Sequence, residues 1–95
     1  MEESIKYSIL LELYGELLTK KQYELLDYYY NQDFGLSEIA ENLNITRQAV
    51  RDNLKKGENN LLEFESKLHL MQKIEKIEEL EIDSKLKKEI RKILI

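Results

Sequence analysis

Apolar residues recur every three or four positions along most of the chain, which is the period of an amphipathic helix. The first such stretch covers residues 2 to 18 and has its apolar positions at Ile5, Ile9, Leu10, Leu13 and Leu17. Tyr7 and Tyr14 lie seven residues apart on its flank, and aromatic residues at this spacing are mostly core or interface residues rather than platforms for bases. The pattern predicts an N-terminal amphipathic helix.

A capping box predicts where the second helix begins. The Thr19 hydroxyl is placed to accept a hydrogen bond from the free amides of a first turn, and the Gln22 side chain to reach back to the Thr19 amide. We expect this helix to run from Lys20 to about Gln32. Successive helical residues point about 100° apart, so at least one of the tyrosines at positions 28 to 30 lies near the surface or in an interface.

Residues 36 to 56 have the spacing of a helix-turn-helix. Ser37 is predicted to cap a first helix over residues 37 to 43, and Thr46 a second over residues 47 to 56, because hydroxyl oxygens accept hydrogen bonds from free first-turn amides. The first helix has one apolar face, with a small residue that lets the second helix approach closely, formed by Ile39, Ala40 and Leu43. In DNA-binding proteins the second helix of this motif lies in the major groove.

The residues at the joints of this motif support the same assignment. Ile45 and Val50 have the spacing of a hydrophobic staple around the second cap. Asn44 occupies the turn, and asparagine tolerates a positive φ better than most residues do. Gly35 supplies the turn that leads into the motif. We therefore call residues 47 to 56 the recognition helix.

Beyond the recognition helix the apolar positions alternate steps of three and four, as in a coiled-coil seam, at Leu54, Gly57, Leu61, Phe64, Leu68 and Met71. This spacing predicts that the recognition helix extends into a long helix, bent at Gly57. The apolar stripe then drifts around the helix, and a break is expected near Ile82. Asp83 or Ser84 is placed to cap a last helix with apolar positions at Leu86, Ile90, Ile93 and Leu94.

The seam and the last helix both carry apolar residues, and a small monomer has too little surface of its own to bury all of them. We expect a domain of residues 1 to 70 that contains the helix-turn-helix, and a C-terminal extension of residues 71 to 95 that joins two copies into a homodimer, with the N-terminal helices as a further candidate contact. The alternative, in which the extension folds back onto its own monomer, stays open.

The composition restricts the fold class and the compartment. The chain has 95 residues, no proline and three glycines, so it lacks the turn residues that an all-β fold needs. We predict an all-α fold. The absence of cysteine fits a reducing compartment. No apolar run approaches the roughly 18 to 20 residues that span a bilayer, and no leader pattern opens the chain, so we expect a cytoplasmic protein without membrane insertion.

The charge is distributed unevenly around a formal net charge of -4. Residues 1 to 46 contain three lysines and nine acidic residues, a net charge of -6, whereas residues 47 to 95 contain twelve basic and ten acidic residues, a net charge of +2. Within residues 47 to 56 four residues are basic and one is acidic. Proteins that bind polyanions with their whole surface are usually basic, so any nucleic acid is expected at the recognition helix.

The outward side of the recognition helix carries the predicted nucleic-acid-binding residues, which are Thr46, Arg47, Gln48, Arg51, Lys55 and Lys56. Arginine suits guanine and glutamine suits adenine in the major groove, and the helix N-terminus favours a phosphate. Asp52 lies among them and would repel phosphates unless it pairs with Lys55 or Lys56 or accepts from a cytosine amine. Docking of another protein on this surface is the competing interpretation.

The sequence contains no motif that is typical of a catalytic or metal-binding site. His69 is the only histidine and lies between two leucines, which favours a structural or surface role on a helix flank. Without a second histidine or any cysteine, one chain cannot assemble a zinc site from the usual ligands. Three isolated glycines form no phosphate loop, and no pair of carboxylates is isolated in an apolar setting. We expect no enzyme activity, no catalytic residue, no metal and no cofactor.

Several blocks together resemble the YlxM family of bacterial helix-turn-helix proteins. The resemblance covers about residues 5 to 70 and rests on Leu18-Thr19-Lys20-Lys21-Gln22, Tyr29-Tyr30 with Asp33, Leu36-Ser37-Glu38-Ile39-Ala40-Glu41, Arg47-Gln48-Ala49-Val50, Asp52-Asn53, Glu65 and Lys67-Leu68. It implies an all-helical fold like region 4 of bacterial sigma factors, often a dimer. Thr46 stands where the family commonly has serine, which exchanges one capping hydroxyl for another.

The resemblance also implies a role in the signal recognition particle pathway, inferred for the family from genes that lie beside those for the particle's protein and its receptor. We expect an accessory or regulatory protein that binds nucleic acid, either DNA or the particle's RNA. Two alternatives remain, namely a protein-interaction module that docks on the particle's protein component and a dimeric DNA-binding transcription regulator unconnected with targeting.

Overall fold

The computed structural model describes residues 2–95, and it confirms the all-α prediction. No strand occurs within this range. The described part of the chain forms six α-helices, which are α1 (Glu3–Tyr14), α2 (Lys20–Leu26), α3 (Leu36–Leu43), α4 (Arg47–Leu68), α5 (Leu70–Glu78) and α6 (Ser84–Leu94). A single 3₁₀ turn, Gly15–Leu17, follows α1, and a π-helical turn, Asp27–Asn31, follows α2. Over residues 2–95, every helix is too short or too polar to cross a membrane.

The predicted capping box begins α2. The Gln22 amide donates to Thr19 Oγ1 at 3.1 Å, and the Thr19 amide donates to Gln22 Oε1 at 3.3 Å. The helical path continues beyond α2 to Asn31, close to the predicted end, but its last five residues form a wider π turn. Such turns occur frequently at functional sites.

The π turn separates its three tyrosines. The Tyr28 ring stacks on Phe34 and the Tyr30 ring stacks on Tyr7, each with 5.1 Å between ring centroids. Tyr29 keeps 37% of its surface exposed. The prediction that at least one of these tyrosines lies near the surface is confirmed.

Helix α4 passes through the centre of the molecule, with α1, α2 and α3 packed around its buried face. That face is the predicted one, formed by Val50, Leu54, Gly57 and Leu61. The largest side chains that are almost fully buried come from all four helices and are Tyr14, Leu10, Leu11, Leu25, Leu26, Ile39, Leu61 and Val50. Tyr7 and Tyr14 are both buried, which confirms them as core residues.

Gly57 lies in the interior of the continuous helix α4. A Cβ atom at this position would lie 2.8 Å from Leu26 Cδ1 and 3.7 Å from Gln22 Cβ. The glycine therefore permits close approach of α2 and α4, and this packing explains its place in the apolar seam.

The predicted continuous seam is wrong beyond Leu68. Helix α4 ends there, and His69 adopts a left-handed conformation with φ 57° before α5 begins. His69 thus connects two helices instead of occupying the flank of one. The seam spacing did not reveal this break, because a single left-handed residue leaves the alternation of apolar and polar residues intact.

A side-chain network explains why the chain turns at His69. The Tyr14 hydroxyl donates to Glu65 Oε1 at 2.6 Å and accepts from the Leu70 amide at 3.0 Å. The Glu65 carboxylate also accepts from the amides of Met71 and Gln72, at 2.9 and 3.1 Å. Three free first-turn amides of α5 are thereby satisfied by two side chains. Helix α5 then packs against α1, with Ile74 buried.

This network predicts that the folded protein loses stability at alkaline pH. Burial and the hydrogen bond to Glu65 raise the pKa of Tyr14 to about 12. Because the folded pKa lies above the ordinary value of 10.0, the stabilising contribution of the neutral hydroxyl is complete below pH 10 and is lost as the pH rises through 12. We expect Tyr14→Phe to lower the free energy of unfolding at neutral pH by about 1 to 3 kcal/mol, since it leaves the Leu70 amide unpaired. Urea unfolding at neutral and alkaline pH measures both effects.

The matched control for Tyr14 is Tyr23→Phe, which removes the hydroxyl of a tyrosine that is 43% exposed. It should leave the urea midpoint within experimental error of the wild type. An equal loss of stability in the two variants, or a Tyr14 variant whose stability matches the wild type at neutral pH, would contradict the role assigned to the network.

Helix α6 begins at the predicted break, where the Asp83 carboxylate accepts from the Lys85 amide at 2.8 Å. It contacts α5, and Arg91 Nη2 lies 3.7 Å from Glu12 Oε2 of α1. No residue of α6 is buried, and Ile93 keeps 84% of its surface exposed. The helix thus lies against the domain while much of its apolar side faces solvent.

Candidate nucleic-acid interface

Helix α3, the first helix of the motif, begins at Leu36, and Gly35 occupies the capping position. The predicted cap at Ser37 is therefore wrong, since Ser37 lies in the first turn and is exposed. Gly35 has the extended backbone that a capping position requires, and its amide donates to Glu38 Oε1 at 3.1 Å. The Glu38 carboxylate thus provides half of a capping box and removes the need for a hydroxyl.

The turn between α3 and α4 has the predicted chemistry. Asn44 adopts a left-handed conformation with φ 53° and ψ 48°. The Ile45 amide donates to the Ala40 carbonyl at 3.1 Å, which closes the end of α3. Thr46 Oγ1 then accepts from the Ala49 amide at 3.0 Å, so Thr46 is confirmed as the cap of α4. These bonds fix the direction in which the recognition helix leaves the turn.

The apolar face of α3 holds the motif against the core. Ile39 is fully buried, and Ala40, Leu43 and Ile45 are partly buried against the same cluster. On the other side of the motif, all six predicted site residues are exposed, namely Thr46, Arg47, Gln48, Arg51, Lys55 and Lys56. The motif is thus anchored by its apolar residues and leaves its polar residues accessible.

The helical period determines how the site residues are arranged around α4. Arg47, Gln48, Arg51 and Lys55 lie within an arc of about 100°, while Lys56 lies further round the helix. Neither of the two ion pairs among residues 2–95 involves a basic residue of this surface. We call the four residues within the arc the recognition face.

Asp52, beside the recognition face, has a neutral partner. Gln48 Nε2 donates to Asp52 Oδ1 at 2.8 Å, one helical turn apart. Pairing with Lys55 or Lys56 was one of the two ways in which Asp52 could avoid repelling a phosphate, and neither pair occurs among the ion pairs of residues 2–95. Because a glutamine amide has two N–H groups and a carbonyl, Gln48 keeps one donor and its acceptor available.

The structure adds one feature to this surface that we did not predict from the sequence. Arg51 and Lys55 line an open groove of about 340 Å³ that also includes Tyr29. Its other lining residues are Tyr30, Leu36, Leu54 and Glu58. The row of three tyrosines indicated a surface aromatic residue, but no local pattern indicated that it would lie beside the recognition helix.

The family model described as "Putative helix-turn-helix protein, YlxM / p13 like" (UPF0122) matches residues 1–94. The chain belongs to this family. The match extends the resemblance seen over residues 5 to 70 to nearly the whole chain, and it agrees with the all-α helix-turn-helix structure. A helix-turn-helix family of this kind indicates a nucleic-acid-binding, regulatory role, and its description names no catalytic activity.

Three relatives named UPF0122 protein illustrate the similarity. That of Clostridium kluyveri is 54% identical over 79 residues, which cover 83% of this chain and 71% of the relative. That of Acetivibrio thermocellus is 51% identical over 73 residues, covering 77% of this chain and 62% of the relative. That of Clostridium acetobutylicum is 45% identical over 85 residues, covering 90% and 73%. The chain thus spans between 62% and 73% of the length of these relatives.

Proposed function

We propose that this protein is an accessory or regulatory protein that binds nucleic acid through the start of α4. The observation that carries the proposal is the exposed recognition face, held in place by the Thr46 cap. Thr46 and Lys56 mark the two ends of the proposed contact. The helix N-terminus adds backbone amides for a phosphate, and the arginine and glutamine side chains match base edges.

The charge distribution limits the strength of this contact. Four basic residues stand between positions 47 and 56, on a chain with a formal net charge of -4. Each phosphate neutralised on duplex DNA contributes about -0.9 to the slope of log affinity against log salt concentration, so four contacts give a slope near -4. A contact this small suits a protein that acts together with a partner better than a free-standing repressor.

We further propose that the nucleic acid is the RNA of the signal recognition particle, and that the protein acts in that pathway in the bacterial cytoplasm. This step rests on family membership and the role inferred for the family, whereas the recognition face supports nucleic-acid binding in general. Docking on the particle's protein component is the second candidate, favoured by the acidic surface before residue 47 and by Asp52 beside the recognition face.

Fluorescence anisotropy with labelled duplex DNA and labelled hairpin RNA, each at two salt concentrations, tests the proposed function. We expect binding that weakens with salt, and a preference for the particle's RNA. Absence of binding to both nucleic acids at low salt would overturn the proposal and favour protein docking. Preference for a duplex DNA site would favour a transcription regulator unconnected with targeting.

Asp52 provides a sharper prediction about the same surface. Asp52→Asn removes the negative charge but keeps an oxygen to accept from Gln48. Because a carboxylate about 8 Å from a phosphate costs roughly 0.5 kcal/mol in water, we expect affinity to rise about twofold to threefold. The control is Glu75→Gln on α5, which removes an exposed charge far along the chain. A fall in affinity for Asp52→Asn would instead indicate that the carboxylate accepts from a base amine.

The apolar side of α6 supports a proposed homodimer. Leu86 and Ile93 keep 50% and 84% of their surface exposed, and the helix is basic whereas residues 1 to 46 are acidic. A second copy therefore offers both an apolar helix and complementary charge. The assignment of residues 71 to 95 to an extension with this role remains part of the same proposal.

Sedimentation velocity at tens of micromolar tests the dimer. We expect a dimer for the wild type and a shift to monomer for Ile93→Ser, because this change removes the most exposed apolar side chain of α6. Lys85→Ser, an exposed position on the polar side of the same helix, should leave the dimer intact. A monomeric wild type at this concentration would refute the proposal.

A further inference from the structure

The exposed ring of Tyr29 lies in the groove beside the recognition face. The other two tyrosines of the π turn each stack on another ring, whereas Tyr29 keeps 37% of its surface exposed. Aromatic side chains contribute most to the stability of a fold when they are buried. A ring left exposed next to Arg51 and Lys55 therefore calls for an explanation other than packing of the core.

Tyr30 contacts the Tyr29 ring and is itself held by other residues, so it fixes the position of that ring. The Tyr29 ring meets the Tyr30 ring edge to face, with 5.0 Å between centroids and an interplanar angle of 90°. Tyr30 in turn stacks on Tyr7, and its hydroxyl donates to Glu58 Oε2 at 2.6 Å. Glu58 belongs to α4, so the position of the Tyr29 ring is tied to the helix that carries the recognition face. A ring fixed in this way loses little conformational freedom when a ligand stacks on it.

The charges of the groove favour an anion. Arg51 and Lys55 are one helical turn apart and line the same space. Glu58 is the only acidic residue among those that line the groove, and its carboxylate already accepts a hydrogen bond from the Tyr30 hydroxyl. Leu36 and Leu54 supply apolar walls. The groove thus combines an aromatic ring, an apolar wall and two cations within about 340 Å³, a volume at the lower end of the range for small-ligand pockets.

We propose that this groove binds an unpaired nucleotide of a nucleic acid, with its base stacked on Tyr29 and its phosphate held by Arg51 and Lys55. The inference rests on the proposed function and specifies the class of substrate. A paired base within a duplex has its faces covered by its neighbours, whereas a bulged or single-stranded base offers a face for stacking. The preferred ligand is therefore a duplex interrupted by an unpaired base, in RNA or in DNA.

The test uses four labelled hairpins, with and without one bulged 2-aminopurine nucleotide, in RNA and in DNA. Stacking of a base on an aromatic side chain strengthens binding measurably, so we expect the full chain to bind a bulged hairpin about tenfold more tightly than its paired counterpart. The fluorescence of 2-aminopurine should fall on binding, because stacking on the ring quenches it. A preference shown by both bulged hairpins supports stacking of the base alone, and one shown only by RNA supports an added contact to the ribose.

Variants of Tyr29 separate stacking from folding. Tyr29→Leu should abolish the tenfold preference and the quenching, while Tyr29→Phe, which keeps the ring, should retain both. Tyr23→Leu is the matched control, because Tyr23 is also an exposed tyrosine, at 43%, but does not line the groove. Circular dichroism melting of each variant establishes that it is folded.

Failure of this inference can be told apart from failure of the proposed function. Equal affinity of the wild type for bulged and paired hairpins, with binding that still depends on Arg51, would overturn the stacking site and leave the proposed function standing. A Tyr29→Leu variant that keeps the preference would also overturn the site. Absence of binding to all four hairpins at low salt would overturn both.

Discussion

Replacing Gly57 by leucine is expected to lower the free energy of unfolding by about 2 kcal/mol, because overpacking of a core typically costs 1 to 3 kcal/mol or more. Already the first atom of a side chain at this position would lie 2.8 Å from Leu26 Cδ1 and 3.3 Å from Leu26 Cγ. Leu26 is fully buried, so moving its side chain aside would disturb the packing of the core. Helix propensity favours leucine over glycine by nearly 1 kcal/mol. The steric cost of the leucine at the close contact between α2 and α4 has to exceed this gain for the variant to be less stable.

Thermal unfolding of the Gly57→Leu variant measures the effect. For a domain of this size about 2 kcal/mol corresponds to a fall in Tm of roughly 10 °C. Asn59→Leu, at an exposed position of the same helix, introduces the same side chain without the contact and should leave the Tm nearly unchanged. A Gly57→Leu variant as stable as the wild type would contradict the close packing of α2 on α4.

Removing the guanidinium group of Arg51 is expected to weaken nucleic-acid binding by about 1 to 3 kcal/mol, roughly fivefold to 150-fold. Arg51 belongs to the recognition face and also lines the groove that contains Tyr29. Its planar group can bind a base edge or a phosphate in two places at once, unlike a lysine. The Arg51→Ala variant, titrated by anisotropy against the preferred nucleic acid, measures this loss.

Lys73→Ala on α5 is the matched control for Arg51. Lys73 is also basic and exposed but lies outside the recognition helix. Its replacement should change the affinity only slightly, through the net charge of the protein. Equal losses from the two variants would indicate attraction by the overall charge rather than a contact at α4, and an unchanged affinity for Arg51→Ala would remove the recognition face from the site.

Local capping chemistry made most of the helix boundaries predictable. The caps at Thr19 and Thr46 were predicted, and Asp83 was one of the two predicted candidates for the cap of α6, because each side chain bonds to an amide within three residues along the chain. The error at Ser37 has the same origin. Gly35, whose amide bonds to Glu38, is a second candidate for the capping position, and the spacing of the sequence does not distinguish it from Ser37. Bonds between near neighbours are the interactions that spacing encodes.

The break at His69 was not predictable in this way. It depends on Tyr14, which lies more than fifty residues earlier and bonds to both Glu65 and the Leu70 amide. Apolar periodicity describes which residues face the core, but it does not show which distant polar groups satisfy the amides of a new helix. A helix boundary that depends on a contact between distant parts of the chain therefore needs the structure.

The candidate site shows the same division. The exposure of the recognition face follows directly from the helical period, because Val50 and Leu54 fix which side of α4 is buried. The hydrogen bond from Gln48 to Asp52 joins residues one turn apart, but the sequence offered two lysines as competing partners. The position of Tyr29 beside α4 depends on the π turn and on the packing of two helices, which no local pattern encodes.

Mapping amide chemical shifts by NMR while hairpin RNA is added tests the central claim most directly, since it shows which surface the nucleic acid contacts. Helix α6 carries the other concentration of positive charge, with five basic residues between positions 85 and 92, and is the natural competitor. We predict that the largest shift changes fall between Thr46 and Lys56 and that those of α6 stay small. Shift changes concentrated on α6, with Thr46 to Lys56 unaffected, would contradict the account.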